Sequence, residues 1–514
     1  MSTWMMATHS DGSWAAWRGG RNRTRSDSLP NLLAILILGL SGMAWWNSSG
    51  VLLWSTLPGA FWIAYSYPAR LVSLLALTTP MFPVIRVTED LVGAQQVSTK
   101  GLFFSADDPL IAAFALAWIF RRLGAGNRRF ELFPGALIWL LALYPAVIAV
   151  NAFRLEPNQV LVSFLYYLKW GQYAILLFLI PQTVPIQATP DLMAGFRKTF
   201  LAALCASAAF AVYEVIEAVR TSSYTAAASF PRASSFFGTL DPARYGASED
   251  PVNFGVFAMV GGSVALAFMG RLRLHEQWMT SMGVVAGFIS LLLSASRAPW
   301  LAGIVAFGKI QKVGSIRLIL GFASVGILMG TVYLVAPDLW STTVGRFEAI
   351  SAWQSASEGS AMDRVAIAMN SPVFTIDQYW LVGHGFSSYR FVAEEHLATI
   401  TRGVTRSLYN FLLAVWYDGG AFGLVLWIVL FVQLNRRLGR IAAFCPWQHA
   451  RALAWGLQGA LWGLAMAAMF SEVFYSWRVM GTFYTATGVC LAADQYARRA
   501  ARATQAEPRP HGCG

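Results

Sequence analysis

Leu408-Tyr409-Asn410-Phe411-Leu412-Leu413-Ala414-Val415-Trp416-Tyr417-Asp418-Gly419-Gly420-Ala421-Phe422-Gly423 is where a long polar stretch gives way to an apolar run. From Pro337 to Ser407 the chain carries charges of both signs, and at Leu408 it turns apolar. The run opens on Tyr409-Asn410, continues for nine residues and closes on Gly420-Ala421-Phe422-Gly423. Almost everything else is apolar run or short connector. A large hydrophilic loop resting on membrane-embedded helices is where a membrane enzyme would keep its chemistry.

Hydrophobic residues make up 56% of the 514 and charged residues only 12%; mean hydropathy is +0.51. A soluble chain of this length would carry about twice that charge. Repeated apolar runs, each long enough for a hydrocarbon core of roughly 30 Å, indicate a polytopic membrane protein. Backbone polar groups in lipid need internal partners, and continuous rather than alternating runs select helices over a barrel. The expected fold is an all-α polytopic membrane protein with about 12–14 transmembrane helices. The runs extend from 31–48, 51–66 and 69–87 through 316–336 and 408–432 to 477–494.

Cys205, Cys445, Cys490 and Cys513 are scattered, with neither a CxxC pair nor metal-ligand spacing, so no metal site is expected. The net charge of +12 does not point to nucleic acid, because the basic residues collect in short connectors, as on the cytoplasmic face of a membrane protein. Arg18, Arg21, Arg23 and Arg25 precede the apolar run from Leu32, a pattern closer to a signal anchor than to a cleaved signal peptide. With both termini cytoplasmic, Arg121-Arg122, Arg197-Lys198, Arg271, Arg273, Lys309 and Arg436-Arg437 fall inside. Connectors 88–107, 153–161, 218–250, Ser296-Arg297, 337–407 and 471–476 fall outside. No internal repeat is visible, which weakens a transporter built of inverted repeats.

This orientation gathers several arginines on the outer face. Arg297 sits at a hairpin tip, Ser294-Ala295-Ser296-Arg297-Ala298-Pro299-Trp300, and a charge between two apolar runs is costly unless it reaches the interface or a polar cavity. Arg232 lies in Phe230-Pro231-Arg232-Ala233 and Arg364 in Met362-Asp363-Arg364. Taken singly, Arg297 reads equally as a snorkelling interfacial residue and the others as solvated charges. Together they suit an anionic ligand, since planar guanidinium forks donate paired hydrogen bonds to a diphosphate. Lys169, in Tyr166-Tyr167-Leu168-Lys169-Trp170, is an intramembrane cation with two readings, ligand contact or pairing within the bundle. Candidate bases outside are His384, in Gly383-His384-Gly385-Phe386, together with His396, Glu249 and Asp250. Either carboxylate at the helix start also reads as a cap.

These residues resemble, in order, the O-antigen ligase and O-antigen polymerase superfamily of bacterial membrane glycosyltransferases. Ser296-Arg297 is similar to its Ser-Arg-Gly signature with alanine at 298, and Asp363-Arg364 to its loop arginine. Gly383-His384-Gly385-Phe386 resembles its glycine-rich turn, and Tyr409-Asn410 with Gly420 and Gly423 a pattern that normally opens on histidine. The resemblance implies a GT-C-like bundle with a large periplasmic loop, in the bacterial inner membrane. It implies an undecaprenyl-diphosphate-linked glycan donor, a glycan or lipid-core acceptor, surrounding membrane lipids, a polysaccharide assembly complex as partner, and no cofactor or metal. Carried over, Arg297 and Arg364 would hold the diphosphate with Arg232 auxiliary, and Tyr409 would stand where the family has its base or acceptor-positioning group; from the residues themselves, Asn410 and Lys169 are auxiliary candidates and His384 a substitute base.

The departure at Tyr409 bears on mechanism, because an unperturbed tyrosine, with a pKa of about 10, is a poor base at neutral pH. Nearby arginines lowering that pKa, Tyr409 merely orienting the acceptor, or His384 substituting all stay open. The domain order expected is a basic tail over 1–30, transmembrane helices over 31–217, a ligase/polymerase-like core over 218–430 including the loop 337–407, helices over 431–494 and a tail over 495–514. The leading activity is polymerisation of lipid-linked oligosaccharide repeats for O-antigen or exopolysaccharide. Ligation to a lipid A-core acceptor is the second reading, and a lipid-linked glycan flippase or a non-catalytic scaffold a further class.

Overall fold

The computed structural model of the protein describes residues 28–47, 49–81, 84–86, 103–124, 135–153, 157–220, 251–269, 277–294, 296–310, 379–389, 408 and 410–506. The apolar run 316–336, Arg232, Glu249, Asp250, Arg364, His396 and Tyr409 lie outside the described residues. The rest is helical almost throughout, and the chain is an all-α polytopic membrane protein. Among the described residues, four helices are long and apolar enough to cross a membrane, Gln159–Thr183, Thr189–Tyr213, Val252–Met269 and Phe411–Phe444, and Ser28–Ala44, Gly135–Asn151 and Trp278–Leu293 are shorter apolar helices.

The elements in order are α1 (Ser28–Trp46), α2 (Gly50–Trp54), α3 (Leu57–Ser66), α4 (Pro68–Met81), β1 (Val84–Arg86), β2 (Phe103–Ser105), α5 (Asp107–Gly124), α6 (Gly135–Asn151), α7 (Pro157–Ala174) and α8 (Leu176–Thr183). There follow α9 (Thr189–Arg220), α10 (Pro251–Met269), α11 (Gln277–Leu293), α12 (Arg297–Lys309), α13 (Phe411–Phe444), α14 (Gln448–Ala468) and α15 (Trp477–Ala506). Several boundaries depart from hydropathy. The run 51–66 is broken at Ser55-Thr56, whose hydroxyls bond back to Leu52 O and Leu53 O at 2.7 Å, and Pro58 opens α3, where its missing N–H is no loss. The run 69–87 stops being helical at Met81; β1 then pairs antiparallel with β2, Val84 opposite Ser105. The run 162–181 is divided at Ile175 into α7 and α8. Helix α13 continues to Phe444 and α15 to Ala506, past the ends of the apolar runs expected at 432 and 494.

Helix α10 is the core of the second half of the bundle: every residue from Phe254 to Phe268 is buried, as befits a helix apolar on all sides. Its neighbours approach through small residues, which in lipid replace a hydrophobic driving force with close packing. A Cβ on Gly287 of α11 would lie 2.7 Å from Gly262 Cα of α10. Cβ atoms on Gly459 and Gly463 of α14 would lie 2.8 Å from Ala306 O and 2.9 Å from Ala302 O of α12. That antiparallel register, continued one turn, brings Arg297 to the Met469 end of α14.

Candidate functional site

Asn410 opens α13 as its N-cap, the side-chain oxygen accepting from Leu412 N at 2.9 Å and Leu413 N at 3.3 Å. Its amide also donates to Met469 O at 3.3 Å, tying the start of α13 to the end of α14. The helix then runs only to the double glycine. Gly420 adopts φ 62°, ψ −166°, a conformation open only to glycine.

In an unbroken helix Ala421 N would donate to Tyr417 O and Phe422 N to Asp418 O. Here all four groups are taken by the segment 379–389. His384 N donates to Tyr417 O at 2.8 Å and Gly385 N to Asp418 O at 2.9 Å. Ala421 N donates to Trp380 O at 2.9 Å and Phe422 N to Leu381 O at 3.2 Å. Backbone in contact with the membrane interior needs such internal partners, and the loop supplies every one. Gly383 and Gly385 have φ of 79° and 113°. A Cβ on Gly383 would sit 2.5 Å from Asp418 O, and one on Gly420 2.3 Å from Leu381 C. The two glycine motifs of the sequence are thus the two halves of one backbone joint.

Side chains fasten the joint to the bundle. Asn151 of α6 donates to Gly383 O at 3.2 Å, and the Ser163 hydroxyl of α7 to Phe386 O. The Phe386 ring meets Tyr144 at 4.8 Å, Tyr475 at 4.8 Å and Trp170 at 5.8 Å. The His384 ring stacks on Tyr417 at 4.3 Å, with Tyr379 edge-on at 5.3 Å. Glu472, on the turn between α14 and α15 and 8% exposed, accepts from Leu408 N at 2.9 Å and from the Tyr389 hydroxyl. One carboxylate therefore holds the chain on both sides of residues 390–407.

Asp418, 0% exposed, is the carboxylate that the joint encloses. It lies beside Tyr475 and Tyr144, and Trp427 Nε1 donates to the Tyr144 hydroxyl at 2.8 Å. Burial, then the charge of Asp418, pushes the Tyr475 phenol well above its ordinary range, so Tyr475 stays protonated and able to donate.

Arg297 is the first residue of α12, half-buried after the N-cap Ser296. Ser294 Oγ and Trp300 Nε1 both donate to Leu291 O, at 2.7 and 2.8 Å, so the Ser-Arg turn closes on the last carbonyls of α11. It seats on Gly255 of α10, where a Cβ would lie 2.6 Å from Ser294 Oγ and 2.7 Å from Pro299 Cβ. Arg297, His384 and Asn410 belong to one end of the bundle. Lys169 lies in a separate cluster: it pairs with Asp108, donates to Ser105 Oγ at 2.7 Å, and faces the rings of Tyr173 and Trp477 at 5.5 and 5.1 Å. Its described contacts are those of a cation paired within the bundle. Arg478, 3% exposed, lies 4.8 Å from the Trp477 ring. Sequence reasoning passed over Asp418, Glu472 and Arg478, although charges in or beside apolar runs are a signal in themselves.

The family described as O-antigen ligase matches residues 282–428. The match takes in most of α11, all of α12, the segment 379–389 and α13 through its break. This region is O-antigen ligase/polymerase-like. No curated protein gives a significant match to the chain. The match supports an activity of the O-antigen ligase or polymerase type in general. Within the O-antigen ligase-like region, the described residues Arg297, His384 and Asn410 stand on a packed turn, on a backbone joint and at a helix cap, respectively.

Proposed function

We propose that the protein is a glycosyltransferase that polymerises undecaprenyl-diphosphate-linked oligosaccharide repeats at the periplasmic face of the inner membrane. The observation that carries the reading is the joint, inside the O-antigen ligase-like region, that fixes His384 on α13 just beyond Tyr409-Asn410. An acceptor sugar hydroxyl attacks the anomeric carbon of the donor glycan. The new carbon–oxygen bond forms as the bond to the diphosphate breaks, and the electron pair leaves with undecaprenyl diphosphate. Arg297 and Arg364, with Arg232, neutralise the leaving diphosphate through charge-assisted hydrogen bonds. His384 takes the hydroxyl proton, since an imidazole is poised near neutral pH where a phenol is not, and Tyr409 orients the acceptor. The chemistry needs no metal, because arginines supply the positive charge.

The test replaces Arg297 and Arg364 by Ala, His384 by Gln and Tyr409 by Phe, one at a time in the producing bacterium. Surface glycan length and lipid-linked intermediates are then measured. A polymerase predicts accumulation of single lipid-linked repeats in the arginine variants. Long polymer left on its lipid carrier would identify a ligase instead, and normal surface polymer with Arg297→Ala and Arg364→Ala would remove the diphosphate reading.

A further inference from the structure

At the end of the bundle opposite the joint, α13 and α14 form an open groove of about 520 Å3 lined by Asn435, Arg436, Gly439, Arg440, Phe444 and Gln458. Its floor is polar and ordered. Gln458 Nε2 and Trp462 Nε1 both donate to Asn435 Oδ1, each at 3.1 Å. Arg436 and Arg440 are four residues apart and exposed on the same face of α13, and neither makes an ion pair among the described residues. Arg437, between them, instead lies within the field of Asp494. Lys309, from the end of α12, adds a third cation 5.7 Å from the Trp462 ring.

The face that carries the two arginines is apolar on its way towards the joint. Phe422, Val425, Val429 and Val432 precede Arg436 at helical spacing and are exposed at 52%, 56%, 37% and 36%. An apolar stripe that ends in two cations over an amide-floored cavity has the form of an amphiphile with an anionic head.

We propose that this groove is a binding site for an anionic phospholipid, its phosphate held by Arg436 and Arg440 with Lys309 at the edge, its headgroup in the amide-floored cavity and its acyl chains along the α13 stripe. Basic pockets between transmembrane helices on the cytoplasmic side take such headgroups, and the sequence assigns Lys309 and Arg436-Arg437 to that side. Gly439 keeps the cavity open: a Cβ there would lie 2.9 Å from Gln458 Nε2, so a larger side chain fills the space the headgroup would use.

The test uses the full chain purified into nanodiscs of phosphatidylcholine with a minor fraction of phosphatidylglycerol, and counts co-purifying anionic lipid by native mass spectrometry. Arg436→Gln/Arg440→Gln lowers retention of phosphatidylglycerol roughly thirtyfold. Gly439→Leu, which leaves every charge in place, also lowers retention, while phosphatidylcholine is unaffected in both. Wild-type retention by the double arginine variant would overturn the site. So would loss in the arginine variant with wild-type retention in Gly439→Leu, which would reduce the effect to diffuse surface charge.

Discussion

Substituting Gly420 by Ala tests the joint directly. In the docked arrangement residue 420 holds a backbone conformation that costs a side-chain-bearing residue about 1–3 kcal/mol, and its Cβ would lie 2.3 Å from Leu381 C and O. The alternative is a continuous α13 with the segment 379–389 released, in which Ala is favoured over Gly by about 1 kcal/mol. The two effects add in the same direction. Wild-type docking is favoured because four hydrogen bonds from the loop replace the two that a straight helix would make; the substitution works against that preference by about 2–4 kcal/mol. The ratio of docked to released protein falls by a factor of about 30 to 1000.

Hydrogen exchange on the peptide covering 380–389 reads this shift, since the amides of His384 and Gly385 are donors in the joint. Gly420→Ala accelerates their exchange by that factor, and polymer formation falls by the docked fraction that is lost. Gly423→Ala is the control: its Cβ would meet only ordinary contacts at 3.5 Å and beyond, so exchange stays at the wild-type rate. Wild-type protection of 383–385 in Gly420→Ala would refute the backbone exchange as the force that holds the segment.

Glu472→Ala leaves the buried Leu408 N–H without its acceptor, at a cost of about 1–3 kcal/mol; limited proteolysis within 390–407 becomes roughly tenfold faster, whereas Glu472→Gln, which keeps an acceptor, shows a smaller change. Lys169→Met strips the partner from buried Asp108 and lowers stability in a thermal melt by about 3–5 kcal/mol; adding Asp108→Asn restores most of it, because Ser105 N keeps an acceptor. Gly255→Val drives a side chain into Ser294 and Pro299, shifting the turn of Arg297, so polymer is lost with Arg297 itself intact. Gly308→Ala, with nothing within 4 Å, leaves product unchanged.

Much of this architecture was legible in the sequence because lipid imposes a simple rule on long apolar runs. Where the runs lie followed from hydropathy, and that the glycine motifs matter followed from the family resemblance. What the motifs do for each other did not, since an apolar run reads as one helix whether or not Gly420 breaks it. The start of α13 was placed early for a related reason: Leu408 is apolar, yet Asn410 caps the helix, and hydropathy is blind to caps. The partner of Lys169 was hidden by distance along the chain, Asp108 lying on another helix. Asp418, Glu472 and Arg478 were visible as charges near apolar runs, but their burial depends on packing that no local pattern encodes.

The joint also constrains how a large loop can serve a membrane site. Side-chain contacts alone would leave a polar loop free to shift on the bundle surface, because each net hydrogen bond contributes only about 1 kcal/mol. Backbone exchange with a broken helix is different in kind: releasing the loop uncovers carbonyls of Tyr417 and Asp418 and amides of Ala421 and Phe422 together, unless the helix straightens at Gly420. Loop position and helix shape therefore change as a unit. Any motion that lifts His384 from α13 must also reshape the helix around Asp418, and Glu472 transmits the same constraint to the chain on either side of 390–407. A substrate that displaces this loop would have to drive both changes, so entry between the bundle and the described segment is disfavoured.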